Sequence, residues 1–148
     1  MKKKSHLTSE RNPEALILSF FDRVWHPPHE LAAIDELMTA DYTVNSAGKI
    51  IKGREAFKAW VKEFHQMLPE AKTESRDIFF NASENKAVSR WVCSGKNNGI
   101  FGLPPDGQWV SFTGIAIWTI RDNRLASCWI ERSAYELYRE LTTATEKK

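Results

Sequence analysis

Three side chains in this chain have the type and setting for proton chemistry: Glu131, Tyr42 and Asn45. A carboxylate held in an apolar pocket is desolvated, which raises its pKa toward the working pH and makes it a usable base. A tyrosine hydroxyl or asparagine amide can donate to a ligand carbonyl or a developing oxyanion. Alternation restricts all three. Ala126, Cys128 and Ile130 share one face of the last strand, while Ser127, Trp129 and Glu131 share the other. If the first set faces a pocket, Glu131 reaches it only through a bulge, and otherwise makes a salt bridge at the rim or surface. Tyr42 and Asn45 lie on opposite faces of their short strand, so at most one points inward. Tyr42 also reads as a core aromatic with its hydroxyl at the surface.

Other polar residues suggest less. Asn97 could meet a ligand at a pocket mouth, although Asn97-Asn98-Gly99 is also ordinary turn chemistry. His26 and His29 flank Pro27-Pro28, and a loop role is expected for them and no metal site. Cys93 and Cys128 each fall inside an apparent strand and read as buried thiols. There is no Gly-rich phosphate loop, no Ser-His-Asp arrangement and no nucleophilic cysteine context, and no cofactor is expected.

The elements that must position these residues follow from periodicity. Asn12-Pro13 starts a helix whose face is Ile17, Phe20, Phe21 and Val24, stopped at His26-Pro27. A second helix runs through Leu31, Ile34, Leu37 and Met38. Tyr42 to Ser46 and Ile50-Ile51 form a short hairpin. The third helix carries Phe57, Trp60, Val61, Phe64 and Leu68 on one stripe. Strands are expected over 72–80 and 86–95, with Arg90 on a solvated face and Trp91 inward. A long hairpin spans Trp109 to Glu131 around Arg121-Asp122-Asn123-Arg124. Ser133 to Glu136 reads as a capping box opening a last helix. This is an α+β pattern, with helices on one side of a curved, mainly antiparallel sheet. The expected division is a flexible tail over 1–11, one domain over 12–141 and a frayed end over 142–148.

Composition bounds the partners. Five of the 21 basic residues are the terminal lysines Lys2, Lys3, Lys4, Lys147 and Lys148, which leaves 16 basic against 19 acidic residues in the rest of the chain. Such a mixed surface offers no basic stripe, and no nucleic-acid partner is expected. Asp22-Arg23 cuts the first apolar run short and no segment reaches about 20 apolar residues, so neither a signal peptide nor a membrane span is expected. The reading is cytoplasmic.

The chain resembles the SnoaL-like polyketide cyclases and ester cyclases, a branch of the nuclear transport factor 2-like superfamily. The pieces that carry the likeness occur in order: Phe20 to Trp25, Ile34 to Tyr42, Gly53 to Phe57, Gly102 to Gly107, and Phe112 to Ile115 with Trp129. The resemblance implies a sheet wrapped into a cone around a long helix, a hydrophobic pocket at one end, and dimers packed through the sheet. It places Trp25, Phe64, Trp91, Asn97, Phe101, Ala116, Trp118, Cys128 and Ile130 around a pocket for a small hydrophobic molecule.

Members of that branch often carry an acid directly after the matching Trp129 and a His directly before it. They often have a polar group two places past the matching Gly114. Here those positions hold Ile130, Cys128 and Ala116, and Lys96-Asn97-Asn98-Gly99 stands where Thr-His-Thr-Gly is frequent. Two functions follow. One is a cofactor-free cyclase, isomerase or dehydratase acting on a hydrophobic carbonyl compound. The other is a non-catalytic binding or assembly protein that keeps the cone and has lost the acid–base set.

Overall fold

The computed structural model describes residues 12–146, with side chains to Thr143. The expected tail over 1–11 lies outside the described residues. Helix α1, Pro13–Val24, opens with the Asn12 side chain accepting from Ala15 N at 3.1 Å and with Pro at the first turn. It buries Leu16, Ile17, Phe20, Phe21 and Val24. The short α2, Ala33–Leu37, passes directly into β1, Met38–Ser46. Strand β2 is Lys49–Lys52 and α3 is Arg54–Met67, which buries Phe57, Val61 and Phe64. Strands β3 (Lys72–Phe80), β4 (Lys86–Lys96), β5 (Trp109–Arg121) and β6 (Arg124–Arg132) follow, then α4 (Ala134–Glu146).

The six strands form one unclosed sheet in the order β2-β1-β6-β5-β4-β3. Only the β1–β6 pair is parallel, joining the chain's first strand to its last. Asp122 and Asn123 turn the β5–β6 hairpin with φ of 52° and 60°, the left-handed pair that a tight hairpin needs. Alternation along β5 is clean: Val110, Phe112, Ala116 and Trp118 are buried, while Trp109, Ile115 and Ile117 are exposed. The buried set joins α1 and α3 in one core.

Three local details differ from the periodicity. The second helix stops at Leu37, because Met38 already pairs with Leu125 of β6 and the strand claims it. The Ser133 hydroxyl is taken by β5, with Thr113 N donating to it at 2.9 Å, so it ties α4 to the sheet. Helix α4 continues to Glu146, past the expected end at 141. Among the described residues no helix is long and apolar enough to cross a membrane.

Candidate functional site

The core of the cone is not completely filled. A cavity of about 50 Å³ lies between α1, α3 and the inner face of the sheet. At roughly 10–15 Å³ per water, that is space for three to five waters. It adjoins a vestibule of about 220 Å³, and the two share Trp60, Phe64 and Arg132 as walls. Aromatic rings make most of the inner wall and hold one another edge to face. Phe20 and Phe21 meet Trp118 at 6.2 and 5.9 Å, Trp25 meets Phe64 at 5.5 Å, and Tyr42 meets Phe57 at 5.0 Å. Such contacts fix ring orientation beyond simple burial.

Strand alternation explains how the sheet reaches this space. On β5, Phe112, Ala116 and Trp118 point inward, and Gly114 lies opposite Trp91 of β4. A Cβ on Gly114 would overlap Cζ2 and Cη2 of the Trp91 ring. The glycine is therefore the hollow that lets the indole lie flat across β5 and wall the cavity. On β6, Cys128, Ile130 and Arg132 follow at a spacing of two and all line it.

The polar groups of the inner cavity are few. The Tyr42 hydroxyl lies beside Cys128 and the Trp118 indole, and burial raises its pKa well above the ordinary tyrosine value. Trp118 Nε1 is buried without a hydrogen-bond partner although Tyr42 is its neighbour. Burial pushes the Cys128 thiol up to about 12 and the Cys93 thiol, beside Thr73, up to about 11. These three groups are thus held in their neutral forms near pH 7. Arg132 is the exception. Its guanidinium carbon lies 5.5 Å from the Phe101 ring centroid and 6.0 Å from that of Trp60, and desolvation lowers its pKa. Among the described residues no carboxylate and no histidine lines the inner cavity.

Of the residues expected at a pocket, Trp25, Phe64, Trp91, Ala116, Trp118, Cys128 and Ile130 line the inner cavity, as does Tyr42. Phe101 lines the vestibule. Asn97 lies elsewhere. Its side chain donates to Pro104 O at 3.1 Å and Asp106 Oδ1 at 2.9 Å, and its Oδ1 accepts from Gly99 N and Ile100 N. All its hydrogen-bonding capacity goes into folding the β4–β5 connection. Asn45 borders a groove on the outer face with Ile117 and Trp129. Glu131 is exposed on that face and accepts from Trp129 Nε1 at 2.7 Å, so no bulge turns it inward. Arg90 pairs with Asp77 at 2.8 Å outside, with Trp91 buried behind it. Arg132 was not singled out by its sequence context, yet carrying the β6 alternation one step past Ile130 places it on the pocket face.

The three histidines among the described residues are structural clasps. His26, His29 and His65 each donate from Nε2 to a backbone carbonyl, those of Thr73, Ala71 and Val24. His29 and His65 stack with centroids 3.7 Å apart. Among the described residues no group of three His, Cys, Asp or Glu side chains gathers as a metal site would.

An open sheet rolled over a long helix around an aromatic cavity defines an α+β cone of the nuclear transport factor 2-like type. The SnoaL-like domain model matches residues 17–128, and the chain belongs to that family. None of the curated proteins matches it in sequence. Among solved structures it is similar to a protein assigned as a polyketide cyclase from Acidithiobacillus ferrooxidans (20% identity, TM-score 0.79, covering 89% of this chain and 95% of that one). It is also similar to a protein assigned as a SnoaL-like polyketide cyclase from Jannaschia Sp. CCS1 (17%, TM-score 0.77, 86% and 89%). A third is TsrD from Streptomyces laurentii (23%, TM-score 0.75, 86% and 92%). At these identities the likeness concerns the fold.

Proposed function

We propose that this chain binds a small, flat, hydrophobic molecule in the cone and holds it without acid–base catalysis. The observation that carries the reading is the state of the cavity wall. A carbon acid needs a base within hydrogen-bond reach, whereas Tyr42, Cys93 and Cys128 are each pushed toward the neutral form. The cyclase-type alternative has family membership in its favour, and it needs a base that Ala116, Cys128 and Ile130 do not provide. The fused-ring ketone 2-tetralone tests both parts. It is expected to quench tryptophan fluorescence in a saturable way, while its α-protons exchange in deuterated buffer no faster with protein than without. Faster exchange would restore the catalytic reading, and no saturable quenching up to millimolar ketone would remove the binding one.

We also propose a homodimer packed through the outer sheet face. Ile50, Ile117 and Trp129 are exposed there at 58%, 43% and 51%. The register places Trp129 beside both Ile117 and Asn45, and Asn45 beside Ile50, so they form one row across three strands and β2. A contiguous apolar patch of this kind marks an interaction surface. Light scattering after size exclusion is expected to give twice the 17.0 kDa chain mass; the mass of a single chain would end the proposal.

A further inference from the structure

We propose that Arg132 is an anion-binding residue at the neck between cavity and vestibule, and that the bound molecule is a flat carboxylate of one or two rings. This rests on the reading of the cone as a ligand pocket and names the ligand class for it.

The argument starts from what Arg132 lacks. Arg23, Arg54, Arg90 and Arg121 each face a carboxylate within 4.0 Å. Arg132 is less exposed than a surface arginine, and among the described residues it has neither a carboxylate nor a hydrogen-bond acceptor. Trp60 and Phe101 lie against the guanidinium, within the range where a ring face attracts a cation. The rings orient the charge but replace little of the water it gave up. A partly desolvated charge without its counterion gives up part of its hydration unrepaid, and an arriving anion removes that penalty.

Shape narrows the anion. A guanidinium presents a planar fork that matches the two oxygens of a carboxylate. A phosphate would call for additional donors, and the inner wall offers mainly ring carbons, thiols and Thr73. The rings of Trp60 and Phe64 border both spaces, so an aromatic ligand can stack there while its carboxylate meets Arg132. Glu63 also borders the vestibule, without an ion pair to Arg132. It disfavours anions farther out, so the carboxylate belongs at the neck.

The probes are 2-naphthoate and its near-isosteric neutral amide, 2-naphthamide, titrated by calorimetry. The expected result is that the acid binds at least tenfold more tightly than the amide to the native protein. Arg132→Gln should erase that preference, and Arg132→Lys should keep only part of it, because a point charge lacks the fork. Equal affinity for acid and amide in the native protein, or a preference that survives in Arg132→Gln, would overturn the assignment while leaving the pocket reading intact. If neither probe binds, both fall. Thermal melts separate a structural role: removing an unpaired, partly desolvated charge in Arg132→Met should leave the melting temperature unchanged or higher. A fall of more than about 5 °C would make Arg132 a structural residue instead.

Discussion

Replacing Gly114 with alanine is expected to lower the stability of this protein by roughly 3 kcal/mol, the upper part of the range for overpacked cores. The added methyl has no free direction. Trp91 pairs directly opposite on β4, and its indole occupies the space where the Cβ would stand. Either the ring rotates out of the cavity wall or β4 and β5 separate locally, and both break contacts that are made once. Trp91 also meets Phe112 edge to face at 6.0 Å, so displacing it disturbs the next inward residue of β5. For a chain of this size the loss corresponds to a melting temperature lower by about 10 °C. The companion variant Trp91→Leu is expected to be destabilised alone and to recover part of the loss when combined with Gly114→Ala. Additive losses in that double-mutant cycle would show that the ring is not what the glycine accommodates.

The second large effect is an acid limb set by His65. Its ring is half-buried against Trp25, Phe64 and the stacked His29, and its Nδ1 has no partner. Desolvation first, and then the neighbouring His29, depress its pKa from 6.5 to about 4. The unfolded chain therefore takes up this proton near pH 6.5 and the folded chain only near pH 4. Between those values the unfolded state binds more protons, so stability is complete above about 6.5 and is lost as the pH falls toward 4. Allowing for solvent screening around a half-buried ring, the loss is roughly 1–2 kcal/mol. His65→Gln keeps an N–H for the Val24 carbonyl and carries no titrating group. Urea midpoints at pH 7.5 and 4.5 should differ less in this variant than in the native protein. An unchanged difference would assign the acid limb to other groups.

The sequence made much of this architecture legible, and the reasons are local. Asn12-Pro13, the Phe57-to-Leu68 stripe and Asp122-Asn123 state their structure within a few residues, and each element forms there. Alternation on β5 and β6 correctly separates Ala116, Cys128 and Ile130 from Trp129 and Glu131. What escaped depends on contacts between distant segments. The histidine clasps join residues 41 to 47 positions apart, which spacing does not reveal. The need for glycine at 114 follows from the β4–β5 register, since only that register sets Trp91 across it. Asn97 looked available because its partners, Pro104 and Asp106, come from the far side of a loop. Arg132 escapes for a simpler reason. The sequence pattern ends the strand at Glu131, and one further residue, on the Ile130 face, supplies the charge at the pocket neck.

The six tryptophans offer the most direct test of the central claim that ligands enter the cone. Trp25, Trp60, Trp91 and Trp118 wall the inner cavity, whereas Trp109 and Trp129 are exposed, at 58% and 51%. In a 15N-labelled sample each indole N–H gives its own resonance. On titration with 2-naphthoate, the four cavity indoles are predicted to shift together with one saturation curve while Trp109 and Trp129 stay in place. Shifts confined to Trp109 and Trp129, with the four inner indoles unmoved at saturation, would place the binding surface outside the cone and contradict the account.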